Sequence, residues 1–314
     1  MQFWTLIVDS LRESRSRKIF WVIAAISVIV AAAMFCVGFQ GDRVSILFGL
    51  WEIDTQHYDP ATIEGRSHIT GMAVYILLSI FLGWVGVILV IIGTAGMLPA
   101  FMEHGAIDLV LAKPISRPKL FLYKYLAGMV FVLFHAALFV ILTFLVMGLR
   151  WHIWVPAYVL GIPLMVLLFS HVYCVSALVA VTTRSTVAAI LLSLAAWLVY
   201  TTPQSLIDVG NQYPGLMKEE RFAKMIYVAR WVLPKTADVP YIAAKWAGAG
   251  LSLDVVPGSV IQPKDESERA QLARGREAEQ RLLAVDPFRS IGSSLLFEAA
   301  IVLLAMWRFV RRDY

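Results

Sequence analysis

Residues 72–98 read MAVYILLSIFLGWVGVILVIIGTAGML, twenty-seven positions in a row without one Asp, Glu, Lys or Arg. An α-helix rises about 1.5 Å per residue and the hydrocarbon core of a bilayer is about 30 Å thick, so roughly 20 apolar residues are enough to cross it. In lipid every backbone N–H and C=O must be satisfied within the protein, which leaves helices or closed barrels. A barrel would show short alternating segments rather than an unbroken apolar run.

Five more blocks of the same kind follow from the sequence: 19–39, 120–148, 154–181, 186–202 and 290–309. The expected fold is therefore an all-α membrane protein with six transmembrane helices. Of the 314 residues, 59% are hydrophobic and 16% charged, against about 45–50% and 25% in soluble domains. The apolar residues are gathered into blocks instead of being spread as a core, which excludes an ordinary soluble fold. Cys36 and Cys174 both lie inside blocks and read as small core residues, not as a disulfide or zinc site. Arg12, Arg15, Arg17 and Lys18 precede the first block, yet its run is too long for a secretory signal and no small-residue cleavage pattern follows.

A net charge of +5 acquires meaning from position. With the N-terminus placed in the cytoplasm, twelve Lys and Arg residues between Arg12 and Arg312 fall on the inner side. Only Arg43, Arg66 and Arg150 fall in short outer connections. The positive-inside rule then puts both termini in the cytoplasm, as in a multi-pass protein of the bacterial inner (plasma) membrane, and assigns the basic balance to topology, with no nucleic acid as partner. Trp151, Trp154, Trp197 and Tyr200 fall at outer span ends, as interfacial aromatic residues do. The chain divides into a cytoplasmic amphipathic helix (1–18), spans one to five (19–202) with a cytoplasmic loop (99–118), an extracytoplasmic segment (203–289), the sixth span (290–309) and a cytoplasmic tail (310–314). Within 203–289, Phe222, Met225, Ile226 and Ala229 recur at helical spacing and predict a helix lying in the membrane interface. The stretch KDESERAQLARGREAEQRLL (264–283) reads as solvated. A seventh span over 241–260 is disfavoured by Lys245, Asp254 and Pro257.

The loop between the second and third spans, LPAFMEHGAIDLVLAKPISRPKLFLYKYLAG from Leu98, carries the functional information. Ile107, Val110 and Leu111 form one helical stripe, and Pro114 pushes Lys113 out of helical geometry, ending a short helix. Ser116 is placed to cap the next helix, with Pro118 in its first turn. Such a helix suits docking in a groove on a cytoplasmic partner, and equally suits an interfacial turn of the chain.

Glu103, Gly105, Asp108, Leu111 to Pro114 and Arg117, followed by an apolar helix with Lys124 and Gly128, resemble the cytoplasmic loop of ABC-2 type transporter permeases. The six-helix branch that includes the nitrous-oxide-reductase maturation permease is the most similar. The resemblance implies a permease that pairs with a second copy or a related permease and binds two ABC ATPase subunits. It implies that Glu103, Gly105, Ile107, Asp108, Leu111, Lys113, Pro114 and Arg117 form the coupling helix and its flanks, and it favours export. The long outer segment matches no pattern of that family.

No GxxxxGK[ST] phosphate loop occurs in the chain, so ATP and Mg²⁺ would belong to the partner ATPase and this chain carries no cofactor of its own. HExxH, GxSxG and CxxC are absent too, so the expectation is a chain that is not itself an enzyme. Three ionisable groups lie within spans: His135, His171 and Glu298. A mid-bilayer carboxylate costs about 2.5–3.5 kcal/mol on insertion scales, so Glu298 is expected to face the bundle or to be protonated, with His135 at similar depth as a candidate partner. Glu298 either lines a transport path or an interface between permease copies, or makes a buried helix-to-helix hydrogen bond. The second reading is preferred for both histidines. A secondary carrier without an ATPase, and a membrane enzyme or assembly scaffold, are the competing functions.

Overall fold

Each apolar block forms a membrane-length helix over most of its extent. The computed structural model describes residues 12, 15–40, 43–54, 62–102, 115–212, 220–249 and 286–311. Six segments are long and apolar enough to cross a membrane: Lys18–Phe35, Gly65–Phe101, Arg117–Arg150, Pro156–Thr183, Thr186–Ile207 and Pro287–Val310. In chain order the elements are α1 (Lys18–Phe35), strands β1 (Val37–Gln40), β2 (Arg43–Ile46) and β3 (Trp51–Asp54), then α2 (Ile63–Ile76). A π-helical stretch (Leu77–Val85) joins α2 to α3 (Gly86–Thr94), and the short α4 (Met97–Phe101) ends that span. They are followed by α5 (Arg117–Arg150), α6 (Gly161–Thr183), α7 (Thr186–Gln212), α8 (Glu220–Val232), α9 (Asp238–Ala249) and α10 (Pro287–Val310).

The all-α reading fits the molecule in its coarse form, with one addition: β1, β2 and β3 form a small antiparallel sheet between the first two spans, with Phe39 opposite Val44 and Val44 opposite Ile53. Two local expectations need correction. The first span accordingly stops at Phe35 and not at Phe39. Ser116 does hold the N-cap position of α5 in extended geometry, with proline in the first turn, but its hydroxyl makes no capping hydrogen bond. Capping is made elsewhere: the Asp286 carboxylate accepts from the Phe288 N–H at 3.0 Å, and Thr62 accepts from the Gly65 N–H at 3.0 Å.

Helix α6 is the axis of the bundle. Of its membrane-length stretch 72% is buried, against 17% for α10, and it packs on α5, α7 and α10. In lipid, tails are as apolar as leucine, so helix contacts come from close packing and polar pairs more than from hydrophobic expulsion. Small residues at the contacts show this. A β-carbon at Gly128 of α5 would meet the Tyr173 hydroxyl at 2.6 Å, and one at Gly161 would meet Leu78 at 2.7 Å.

The two ends of the bundle differ. At one end Arg117 donates to the Val310 carbonyl at 3.2 Å, and the backbone of Gly96 lies against both Arg17 and Thr186. At the other end the sheet is fastened to α5. The Arg150 Nε–H donates to the Phe35 carbonyl at 3.2 Å and the Trp151 indole N–H to that of Val37 at 3.1 Å. Helices α8 and α9 sit at this second end, α8 against α7 and α10. The expected helix over Phe222–Ala229 is α8: Ile226 is buried, while Met225, Tyr227, Val228, Trp231 and Val232 stay exposed, an apolar outer surface suited to a membrane interface. Helix α9 is too short to span. Residues 1–11, the loop 103–114 and the charged stretch 264–283 lie outside the described residues.

Candidate functional site

Glu298 sits near the middle of α10 and turns inward onto α5 and α6. Its Oε1 accepts from the Tyr125 hydroxyl at 3.1 Å. Its Oε2 accepts from the Ser170 hydroxyl at 2.7 Å and lies 2.9 Å from His171 Nδ1. The imidazole is 1% exposed and the carboxylate 13%, so the pair is screened by protein on nearly all sides. With Glu298 ionised, all three neighbours act as donors and His171 carries its proton on Nδ1. The second ring nitrogen, Nε2, is buried without a hydrogen-bond partner among the described residues. Three helices are thus tied by one carboxylate through bonds that lipid cannot replace.

The walls of this cluster are aromatic. Tyr125 stacks on Tyr173 with ring centroids 5.0 Å apart, and Tyr173 on Phe169 at 4.9 Å. Gly128, one turn along α5 from Tyr125, leaves the room that Tyr173 occupies. A residue singled out with the cytoplasmic loop therefore also shapes the contact beside Glu298.

His135 is not the partner of Glu298. It is 3% exposed and its ring nitrogens face backbone carbonyls: Nδ1 that of Phe131 at 2.9 Å and Nε2 that of Phe20 at 3.2 Å. It joins α5 to α1 instead. The physical reason is depth. Counted from the end of the bundle that holds Arg117, Thr183 and Val310, Glu298 lies twelve residues in from Val310 and His171 twelve from Thr183. His135 lies eighteen in from Arg117. Six residues of helix are about 9 Å, so Glu298 and His171 share a level that His135 misses. Counted inward from that end, His171 lies ten residues into its block and Glu298 eleven, against fifteen for His135, but counted from the opposite ends the numbers are seventeen, eight and thirteen, so the sequence alone does not choose between the histidines. Tyr125 and Ser170 gave no comparable signal, since neutral hydroxyls are common in spans.

The loop positions to which the family resemblance gives a coupling role, Glu103, Gly105, Ile107, Asp108, Leu111, Lys113 and Pro114, lie outside the described residues, but the anchors on either side are described. Before the loop, Met97, Leu98, Phe101 and Met102 are all buried. After it, Lys124 stands over the Phe101 ring at 5.0 Å, a cation–π contact that closes the entry to the third span on the exit of the second. Arg117 bonds the end of α10. The loop therefore leaves from a helix held against α5 and returns into α5, whose first residue is tied to α10, and α5 and α10 meet again at Tyr125 and Glu298.

A second polar cluster lies at the opposite end. The Ser290 hydroxyl donates to Asp238 Oδ2 at 2.8 Å, Arg230 approaches the same oxygen at 3.5 Å, and the Lys235 ammonium donates to Ser293 at 2.5 Å. Burial pushes the Asp238 carboxyl above the ordinary carboxylate range, outweighing Arg230, the Ser290 bond and Lys235. Burial likewise lowers the Lys235 ammonium, against the pull of Asp238. The cluster clamps the turn between α8 and α9 onto α10.

Among the described residues no group of three His, Cys, Asp or Glu side chains could hold a metal ion. Neither a scan against protein-family models nor a search of curated proteins matches the sequence.

Proposed function

We propose that the chain is the membrane-spanning permease subunit of an ATP-binding cassette transporter of the ABC-2 type. It couples ATP hydrolysis on a separate ATPase subunit to export of a substrate. The observation that carries this reading is the shared pair of helices: the loop whose sequence resembles a coupling helix is anchored through Arg117 and Lys124 to α5 and α10, and Tyr125 and Glu298 join those same helices inside the membrane. A push on residues 103–114 from a closing ATPase would reach the buried Glu298 cluster through rigid helix, without passing through a flexible segment. In this reading the Arg117 end faces the cytoplasm, Ile107 and Leu111 seat in the ATPase groove, and Glu103 and Asp108 pair with basic residues there. Gly105, Lys113 and Pro114 shape the short helix. A second permease copy or a related permease completes the pathway in the plasma membrane.

Purification in mild detergent with the genomic neighbours co-expressed tests it. An ABC ATPase is expected to accompany the wild type and to be lost from the Ile107→Asp/Leu111→Asp variant. An ATPase retained by the variant, or none on either, overturns the assignment. The buried His171–Glu298 pair favours one rival, a proton-coupled carrier. Uptake by proteoliposomes of the chain alone, driven by a pH gradient and abolished in Glu298→Gln, would decide for the rival.

A further inference from the structure

A cleft of about 130 Å³ opens on the bundle surface at the end away from Arg117 and Val310, between the π-helical stretch, α7 and the turn before α9. The π-helix supplies Ser79, Gly83 and Trp84 to its wall, and such i to i+5 turns are rare and concentrate at functional sites. Trp84 and Trp197 pack on one another in its wall with ring centroids 4.7 Å apart, and Trp84 is half exposed, which leaves that side open to the membrane. Opposite, Pro240 closes on Gly83, where an added β-carbon would meet its ring at 3.4 Å.

The polar groups in the cleft are of one kind. None of the described lining residues is charged; they offer hydroxyls, an amide and a phenol. Thr201 and Ser205 spend their protons on helix carbonyls. The Thr236 hydroxyl, on a residue only 1% exposed, and the buried Ser79 hydroxyl have no hydrogen-bond partner among the described residues. Buried hydroxyls are nearly always satisfied, so two that line a single cleft leave capacity for a group that both donates and accepts, whether water or a bound hydroxyl. The volume equals that of about four waters and the cleft is open on one side, so it takes a glycerol whole or one face of a hexose. Neutral hydroxyls beside indole rings suit an uncharged hydroxylated moiety, and no described lining residue offers a cation to balance a phosphate or carboxylate.

We infer that this cleft binds an uncharged polyhydroxyl group, glycerol or a hexose, presented on a membrane lipid from the side or as a free sugar. It does not depend on the ATPase partnership. The test uses the full chain in phosphatidylcholine vesicles containing a photoactivatable galactosyl diacylglycerol, with cross-links mapped by peptide analysis. Labelling is expected on 75–84 and 236–240, to be competed by unlabelled galactolipid, and to fall about tenfold in Ser79→Ala/Thr236→Val, the scale of a lost hydrogen bond. Competition by free methyl galactoside as well would assign the recognition to the sugar alone; competition by the lipid only would give its chains a share, and either supports the site. Labelling that galactolipid fails to compete on the wild type, or that a photoactivatable phosphatidylcholine reproduces, overturns the proposal and leaves the cleft to water. The competition arm needs no variant to fold.

Discussion

At the scale of single residues, Glu298 shows how a costly group is kept in a membrane. An interhelical hydrogen bond in a bilayer is worth about 0.6 kcal/mol on average, and Glu298 accepts or shares three. Glu298→Ala is expected to lose about 2 kcal/mol and Glu298→Gln, which keeps an acceptor for Tyr125 alone, about two thirds of that; thermal unfolding in detergent reads the difference. Equal losses would mean the carboxylate is not what ties the three helices. Asp238 makes a pH-dependent case outside the spans. Its folded pKa is raised by burial, so its charged form is disfavoured in the folded state. The folded chain then binds more protons than the unfolded one in the window from the ordinary carboxylate pKa up to the raised one, and stability falls as pH rises through that window. Relative to Asp238→Asn, the wild type should lose melting temperature as pH climbs out of the acid range. A parallel pair of profiles would refute the desolvation account.

Among elements, the contact of α5 with α6 rests on one absent side chain. A β-carbon at Gly128 would fall 2.6 Å from the Tyr173 hydroxyl and 2.7 Å from its ring. Overpacking of this kind costs about 1–3 kcal/mol. Gly128→Val should therefore lower the unfolding midpoint, and Tyr173→Leu in the same chain should recover part of the loss through the space it opens. If the two effects simply add, the glycine is not making room for that ring. The π-helical stretch is the other element with a distinct role, since it turns Ser79 and Trp84 into one cleft while α9 rests on Gly83. The run of Leu, Ile and Phe through it gives no hint of the extra residue per turn.

Across the whole molecule, six apolar helices make a multi-pass membrane architecture. The proposed orientation is open to labelling. In a background lacking Cys36 and Cys174, a cysteine replacing Arg184, in the tight turn between α6 and α7, should react with a membrane-impermeant thiol reagent only after cells are opened. One replacing His152, at the end that carries the sheet, should react in intact cells. The reverse pattern would place the loop 103–114 outside and remove its ATPase from reach.

The number and position of the spans were legible because lipid imposes a one-dimensional rule: an apolar run of sufficient length has nowhere else to go. The helical identity of 220–232 was legible for a similar reason, its period standing out against the charges around it. The small sheet over 37–54 was missed since its strands follow directly from an apolar block, and hydropathy does not distinguish four residues of strand from the end of a span. Which histidine meets Glu298 was settled only by tertiary structure. Sequence places ionisable groups along a helix, whereas pairing depends on how far each helix slides against its neighbours and which face it turns inward. Those are set by close packing, at Gly128 against Tyr173 and Gly161 against Leu78, and packing in a lipid solvent leaves no trace in the hydrophobic pattern.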